Sequence, residues 1–420
     1  MPREKIIVGL DVGTCNIRLA VAQIKDDSLP QILAVGSAVS TGMRKGVVVD
    51  IEETVANIRE ALAMAERTSG MEIERAFVSV GGSHITSRVS RGVIAVSRAD
   101  GEISSEDKTR AINAAAAISI QPNREILHIL PRRFSVDSQE AIKDPVGMQG
   151  VRLEVDALIV EGATPFIKNL VKCIREAGLD EEGMLLAPLA DSQAVLTKRQ
   201  KELGVMLLDL GGGTTGLTVY EEGDIVHCQI LPVGAMHVTN DIAIGLRTSV
   251  DVAEKIKLQY GSVNFSNKRE MIDLTKLGES SGQISRAMVA EIIEARVSEI
   301  LELVNKELKK IDRAGLLPAG VVIVGGGAKL PGLVEMAKEK LRLPVHLGYP
   351  NGLEGVVDQV DDPAFATVCG LIVSALNDEG KSEASRRSFG NLSSLSNFDG
   401  FKAAKPTFAS VKKWLKNFLP

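Results

Sequence analysis

Aromatic side chains make up only 3% of this 420-residue chain, and its one tryptophan, Trp414, lies near the end. With hydrophobic residues at 45%, a core must be mainly aliphatic. Paired cysteines are missing. Cys15, Cys173, Cys228 and Cys369 are scattered without a CxxC pair, which argues against a structural zinc site and suits a reducing compartment. Nor do His84, His128, His227, His237 and His346 show ligand spacing. Basic excess is absent too. Lys and Arg number 49 against 54 Asp and Glu, a net charge of −5, so nucleic-acid binding by the body has no support. No apolar run approaches the ~20 residues that cross a bilayer. A strand at Ile6-Ile7-Val8 begins almost at once, so no signal peptide is expected and a cytosolic location is. A chain of this length should form two or more domains.

Two Asp-x-Gly turns stand out. Val8-Gly9-Leu10-Asp11-Val12-Gly13-Thr14-Cys15-Asn16 leads into Ile17–Val21, and Leu207-Leu208-Asp209-Leu210-Gly211-Gly212-Gly213-Thr214-Thr215 leads into Gly216–Tyr220. Each aspartate ends an apolar run and is followed by a second one, the pattern of a tight hairpin. Glycine lets backbone N–H groups approach an anion, and a following hydroxyl adds a donor. An aspartate would repel phosphate unless a divalent cation, directly or through water, lies between them. Two such turns imply a duplicated fold that grips one nucleotide from both sides.

Between the turns the periodicity predicts a helix near Glu53–Ser69, a strand at Ala76–Val80 and an insert over 83–162. The insert reads βαββ: Arg88–Val96, a helix starting at Ser105-Glu106-Asp107, then Glu125–Val136 and Val151–Val160. A helix at Pro165–Glu176 returns to the first domain. Beyond the second turn come strand Gln229–Val233, a helix-rich stretch over 238–313 whose long helix runs from Ser285 to about Ile311, and strand Ala319–Val324. The strand ends in Gly325-Gly326-Gly327, followed by a helix over Pro331–Leu341. Strand, glycine turn and helix is a common way to present backbone to a nucleotide. A last apolar helix covers Phe365–Leu376. Residues 378–408 are rich in Ser, Gly and mixed charge, and read as a flexible linker.

The order of two phosphate turns and an adenosine turn resembles the superfamily of actin, heat-shock chaperone ATPases and sugar kinases. The connecting helices match at Ala187-Pro188-Leu189-Ala190-Asp191-Ser192 and Ala366-Thr367-Val368-Cys369-Gly370-Leu371. Within it, Gly42–Asp50, Ile126-Leu127-His128-Ile129-Leu130-Pro131, Ile142–Met148 and Gly150-Val151-Arg152-Leu153 closely resemble the FtsA family of bacterial division proteins. The resemblance spans about residues 5–376. It implies an α/β, actin-like (ribonuclease H-like) duplicated two-domain fold that lacks actin's usual small subdomain and carries the insert at a different place instead. The expected division is 1–82, 163–202 and 364–377 for the first core, 83–162 for the insert, 203–237 and 316–363 for the second core, and 238–315 for a helical subdomain. The linker (378–408) and a terminal helix (409–420) follow.

The resemblance also implies roles. Asp11 and Asp209 would order Mg²⁺ and its waters. Gly13, Thr14, Cys15 and Asn16, with Gly211, Gly212, Gly213, Thr214 and Thr215, would clamp the phosphates of ATP. Gly325, Gly326 and Gly327 would face the adenosine, and Glu254 and Lys257, on one helix face, its ribose and base. Related filament proteins place a carboxylate or glutamine just before the connecting-helix proline to position the attacking water. Here that stretch is Leu185-Leu186-Ala187-Pro188, so ATP is expected to be bound and turned over slowly. Asp191 is the remaining candidate for a catalytic role. Cys15, with no histidine nearby in sequence, reads as a small buried loop residue, not a nucleophile.

The family assembles into short filaments on the cytoplasmic face of the inner membrane, tethers the tubulin-like protein FtsZ there and signals to later division proteins. The insert is the surface expected to meet those later proteins, and Arg296 matches a basic position of the FtsZ-docking subdomain. The terminal segment fits such a role. Val411, Trp414, Leu415, Phe418 and Leu419 fall at i, i+3, i+4, i+7 and i+8 with Lys412, Lys413 and Lys416 beside them, an amphipathic anchor for anionic lipid. The alternatives are a small-molecule kinase of the same superfamily, which would need a catalytic Asp at a second-substrate pocket, and a pilus-assembly relative sharing the insert.

Overall fold

One five-stranded unit occurs twice. In a computed structural model that describes residues 5–25, 28–265, 267, 269–278 and 282–379, Lys5–Val12 and Asn16–Ile24 form an antiparallel hairpin. Gln31–Val39 extends it antiparallel on one side, and Arg75–Val80 and then Asp180–Leu186 extend it parallel on the other. In the second half Val205–Leu210, Thr215–Glu221 and Asp224–Leu231 form the antiparallel part, and Val321–Val324 and Val345–Leu347 the parallel part, in the same order. Both aspartates sit in the same place: Asp11 faces Arg18 and Asp209 faces Gly216, each seven positions on (18 − 11 and 216 − 209). The expected amphipathic helix at 409–420, with Val411 to Leu419, and the linker beyond its first two residues lie outside the described residues.

The strand sequences explain their place. Val205–Leu208 and Val321–Val324 are apolar runs buried along their length, as expected for central strands covered on both faces. Helix Ile51–Ser69 starts where the Asp50 carboxylate accepts the Glu53 N–H (3.0 Å) and stops at left-handed Gly70. Its Val55, Ile58, Ala61, Leu62 and Ala65 lie on the sheet. Gly36 allows that contact, since a Cβ there would come within 1.9 Å of the Ala61 carbonyl oxygen. Two connecting helices, Ala187–Val195 and Ala366–Glu379, cross between the halves with Gly370 against Ala190. Around them Ile7, Ala20, Val195, Leu207, Val322 and Cys369 form one apolar seam.

The insert is a four-stranded sheet, Thr86–Ala95, Arg152–Ala163, Arg124–Val136 and Gln139–Ile142, under helix Ser105–Ala116. The expected βαββ pattern thus gains a strand. Asp137 adopts a left-handed conformation (φ 53°), and its carboxylate accepts the N–H groups of Val151 and Arg152. That turn makes a hairpin from a stretch whose polar residues read as loop. The helix starts at Ser105 as expected and is capped by a reciprocal pair of Ser104 and Asp107. Ile103, Ala111, Phe134, Val155 and Ile159 give the insert its own core. It is tied to the first half by His128, whose Nε2 accepts the buried Leu186 N–H (3.0 Å).

The rest of the second half adds the helices Ala235–Leu246, Val250–Tyr260, Leu333–Leu341 and Arg286–Lys310, with a small antiparallel strand pair of Met271–Asp273 and Gln283–Ser285. Helix Arg286–Lys310 buries Ile293, Val297, Ile300, Val304 and Leu308 at the expected spacing, and Ile311 falls just past its end.

Candidate nucleotide cleft between the duplicated hairpins

Each hairpin closes on a short turn in which glycine donates back across it, Gly13 N–H to Asn16 O (3.1 Å) and Gly211 N–H to Thr214 O (3.0 Å). The two turns meet. A Cβ on Gly212 would stand 2.3 Å from Cys15 Sγ, and one on Gly213 would stand 2.6 Å from Thr14 Oγ1. Glycine makes room here for the Cys15 and Thr14 side chains of the opposite turn. The first-turn N–H groups of Ala235 and Met236 donate to the carbonyls of Gly211 and Gly212 (2.9 and 2.8 Å). In a planar trans peptide the N–H points opposite to the C=O. The N–H groups of Gly212 and Gly213 therefore point away from that helix.

Three carboxylates share the cleft. Asp11 accepts from the Ser79 hydroxyl (2.6 Å), and Asp191 accepts from Thr367 (2.7 Å) while its second oxygen is buried without a partner. Burial pushes the Asp11 carboxyl up, against the Ser79 hydrogen bond and the Arg18 charge. Asp209 is raised to about 7 by burial and by Asp11. Asp191 is raised well above the usual carboxylate range by burial and by the charges of Asp209 and Asp11. Arg18, its guanidinium 5.3 Å from the centre of the Phe365 ring, is the cation that offsets Asp11 and Asp209. It lies directly across the hairpin from Asp11, and that register was the signal available in the sequence.

Other expected residues converge on the same place. Lys257 pairs with Glu254 (2.7 Å) and donates to Thr239 (2.9 Å), which itself donates to Glu254 (2.5 Å). The charges of Lys257, Glu254 and Arg18 all act on Cys15, whose thiol burial pushes up. Cys15 lies in the turn as expected, but it is half-buried where a buried residue was expected. In the third turn Gly325 lies against Asp209, where a Cβ would come within 2.2 Å of Oδ1, and Gly327 lies against Leu210. Gly326 faces open space. The Gly42–Asp50 stretch covers the first turn: Gly46 N–H donates to Thr14 Oγ1 (2.9 Å), and Lys45 borders Gly213. Sequence reasoning gave no role in the site to Arg18, Lys45, Ser79 or Thr367.

Two expected residues are engaged elsewhere. The Thr215 hydroxyl is buried and donates to the Val233 carbonyl (2.7 Å), so only its backbone belongs to the turn. Arg296 forms a two-point pair with Asp241 (2.5 and 2.9 Å) and a further one with Glu299, joining two helices of the second half.

Comparison with known proteins places this geometry in a lineage. Residues 206–370 match the family model for cell division protein FtsA, and residues 82–161 match that of the SHS2 domain inserted in FtsA. The chain is 37% identical to the cell division protein FtsA of Pseudomonas aeruginosa over 98% of each chain. In fold it is similar to a type IV pilus biogenesis PilM–PilN structure (TM-score 0.66, 16% identity, 88% of this chain and 98% of that one). It is also similar to MreB5 of Spiroplasma citri bound to AMPPNP (TM-score 0.52, 15% identity, 90% of this chain and 100% of that one). Neither structural likeness exceeds fold. The fold is actin-like, and the chain belongs to the FtsA family of cell division proteins.

Proposed function

We propose that this cell division protein is an ATP-binding scaffold that tethers FtsZ filaments to the cytoplasmic face of the inner membrane. The observation that carries the nucleotide reading is the meeting of the two hairpin turns over Asp11, Asp209 and Asp191. Asp11 and the backbone of Gly13–Asn16 grip the phosphates from one side, and Asp209 with Gly211–Thr215 from the other. Arg18 supplies a positive charge, and Glu254, Lys257 and Gly325–Gly327 receive the nucleoside. The likeness to MreB5 bound to AMPPNP supports such a ligand in this fold.

Magnesium fits these residues. The Asp11 charge raises Asp209, and Asp11 and Asp209 both raise Asp191, which keeps one oxygen without a partner, while Arg18 offsets Asp11 and Asp209. Among the described residues no three acidic, histidine or cysteine side chains converge as a ligand set. A cation held by Asp11 and Asp209 through water is in keeping with magnesium's reluctance to dehydrate. When bound, it would neutralise phosphate charge. Leu186 is fully buried and apolar, and Asp191 is held inward by Thr367. Neither orients water, so turnover is slow and nucleotide chiefly sets the closure of the two halves.

The division of the chain into two cores, insert (83–162), helical subdomain (238–315), linker and anchor follows the same reading. Among the described residues no helix is long and apolar enough to cross a membrane. The amphipathic spacing of Val411–Leu419 with its lysines supports attachment on anionic lipid. Burying each large apolar side chain contributes ~1.5–3 kcal/mol and each lysine ~1 kcal/mol, against ~1–2 kcal/mol per ordered residue. One tail therefore binds weakly, and short filaments of this chain bind strongly by presenting many. FtsZ docks on the helical subdomain, with Arg296 at its edge, and later division proteins meet the insert. The kinase reading is not favoured by the family match. Nucleotide titration tests the cleft: ATP with Mg²⁺ should bind far more tightly than ATP with EDTA, and Asp11→Asn should abolish the difference. Equal binding in all three would overturn the reading.

A further inference from the structure

Away from the cleft, the insert meets the second half across a cavity of about 410 Å³. That is within the ~300–1,000 Å³ range of small-molecule sites. Its walls carry Arg88, Arg132, Arg133, His227, Lys310 and Arg313. Four of the five cations are already matched. Arg88 pairs with Glu161, Arg133 with Glu222, Lys310 with Glu307, and Arg313 with Glu221. His227 also meets Glu307 (3.2 Å), and burial pushes its imidazole below its usual range. Arg132 has no match. Among the described residues it makes no ion pair or hydrogen bond, and its Nε is buried. Asp156 is held by Arg91 through two hydrogen bonds, and Asp224 and the cavity-lining Glu221, itself paired with Arg313, act on Arg132 only from beyond ion-pair distance.

The backbone puts Arg132 there. In the insert sheet Arg133 pairs with Asp156 and Pro131 with Ala157, so Arg132 is the extra residue of a β-bulge. Proline supplies no ladder N–H and is tolerated at such a bulge. On a regular strand neighbours point to opposite faces, but a bulge re-aims one of them, and here Arg132 and Arg133 line the same cavity. The facing wall is bulged as well, with Val226 unpaired between Ile225 and His227. Arg132 is half-buried with its Nε enclosed; a guanidinium stays charged at any physiological pH, and enclosing part of it without a partner is unfavourable. Its planar fork suits the oxygens of phosphate.

We propose that this seam binds a small phosphate-type oxyanion, free phosphate or a phosphate monoester, with Arg132 and Arg133 as its principal contacts. The anion would complete the charge balance of the cavity and fasten the insert to the second half, independently of nucleotide in the cleft. The test uses the full chain with its cleft saturated by AMPPNP and Mg²⁺. Equilibrium dialysis would measure inorganic phosphate and, separately, glycerol 3-phosphate at low salt. One equivalent of saturable, salt-sensitive binding is expected, weakened at least tenfold by Arg132→Met and less by Arg132→Lys. Tighter binding of one probe identifies the free ion or the ester as the occupant. The ligand should also raise the melting temperature of the wild type and leave that of Arg132→Met unmoved. A folded Arg132→Met protein that binds as the wild type does, or a wild type without saturable binding, would overturn the proposal.

Discussion

Replacing Asp209 by Asn should make the nucleotide-free chain more stable while impairing its ligand binding. The carboxyl is raised from an ordinary 3.8 to about 7 by burial and by Asp11. Between those values the unfolded chain is ionised while the folded chain keeps its proton. Unfolding therefore releases a proton, and stability falls as pH rises from 3.8 to 7, with the full cost present above 7. At roughly 1.4 kcal/mol per pKa unit, Asp209 costs about 4 kcal/mol at pH 8 and about 2 kcal/mol at pH 5. The amide of Asn has the same shape and no charge, so it also fits the tight space against Gly325. Urea unfolding without nucleotide, at pH 5 and pH 8, should show Asp209→Asn more stable than wild type at both, with the larger gain at pH 8. A variant no more stable at pH 8, or one that keeps the wild-type pH slope, would refute the reasoning.

Other perturbations probe different parts of the account. Gly212→Ala should destabilise the closed cleft by about 1–3 kcal/mol and weaken ATP binding. Cys15→Ala, by removing the Sγ that the new Cβ would strike 2.3 Å away, should restore part of both in calorimetry. His128 is held at about 4 by burial, so the unfolded chain takes up its proton first. Stability should fall as pH drops from 6.5 to 4, and His128→Ala, leaving the Leu186 N–H without its acceptor, should cost about 1–3 kcal/mol in denaturant titration at neutral pH. ATP turnover should be slow and insensitive to Asp191→Asn. A fast rate that depends on Asp191 would show that the buried carboxylate reaches water. Trp414→Glu should abolish co-sedimentation with anionic liposomes.

The hairpins were legible because their signals are local. Apolar runs flank Asp-x-Gly turns, and glycine is needed where Gly212 and Gly213 meet Cys15 and Thr14. Long amphipathic periods gave the Arg286–Lys310 helix for a similar reason. Gln139–Ile142 was not legible, since four mostly exposed residues at a sheet edge carry no apolar alternation. Their pairing depends on the Asp137 turn. Within the cleft, Arg18 could have been found from its hairpin register with Asp11, but two other missed residues come from far along the chain: Ser79 reaches Asp11 across 68 positions and Thr367 reaches Asp191 across 176. Such partners leave no local pattern. Thr215 illustrates the converse, because its motif position suggested a phosphate donor while its side chain turns into the core beside Val233.

Co-sedimentation of FtsZ with anionic liposomes, in the presence of this chain, tests the tether most directly. FtsZ should pellet with the liposomes when the full chain and ATP are both present, and remain in solution when residues 409–420 are deleted. FtsZ recruitment that persists without those residues, or no recruitment by the full chain with ATP, would contradict the account.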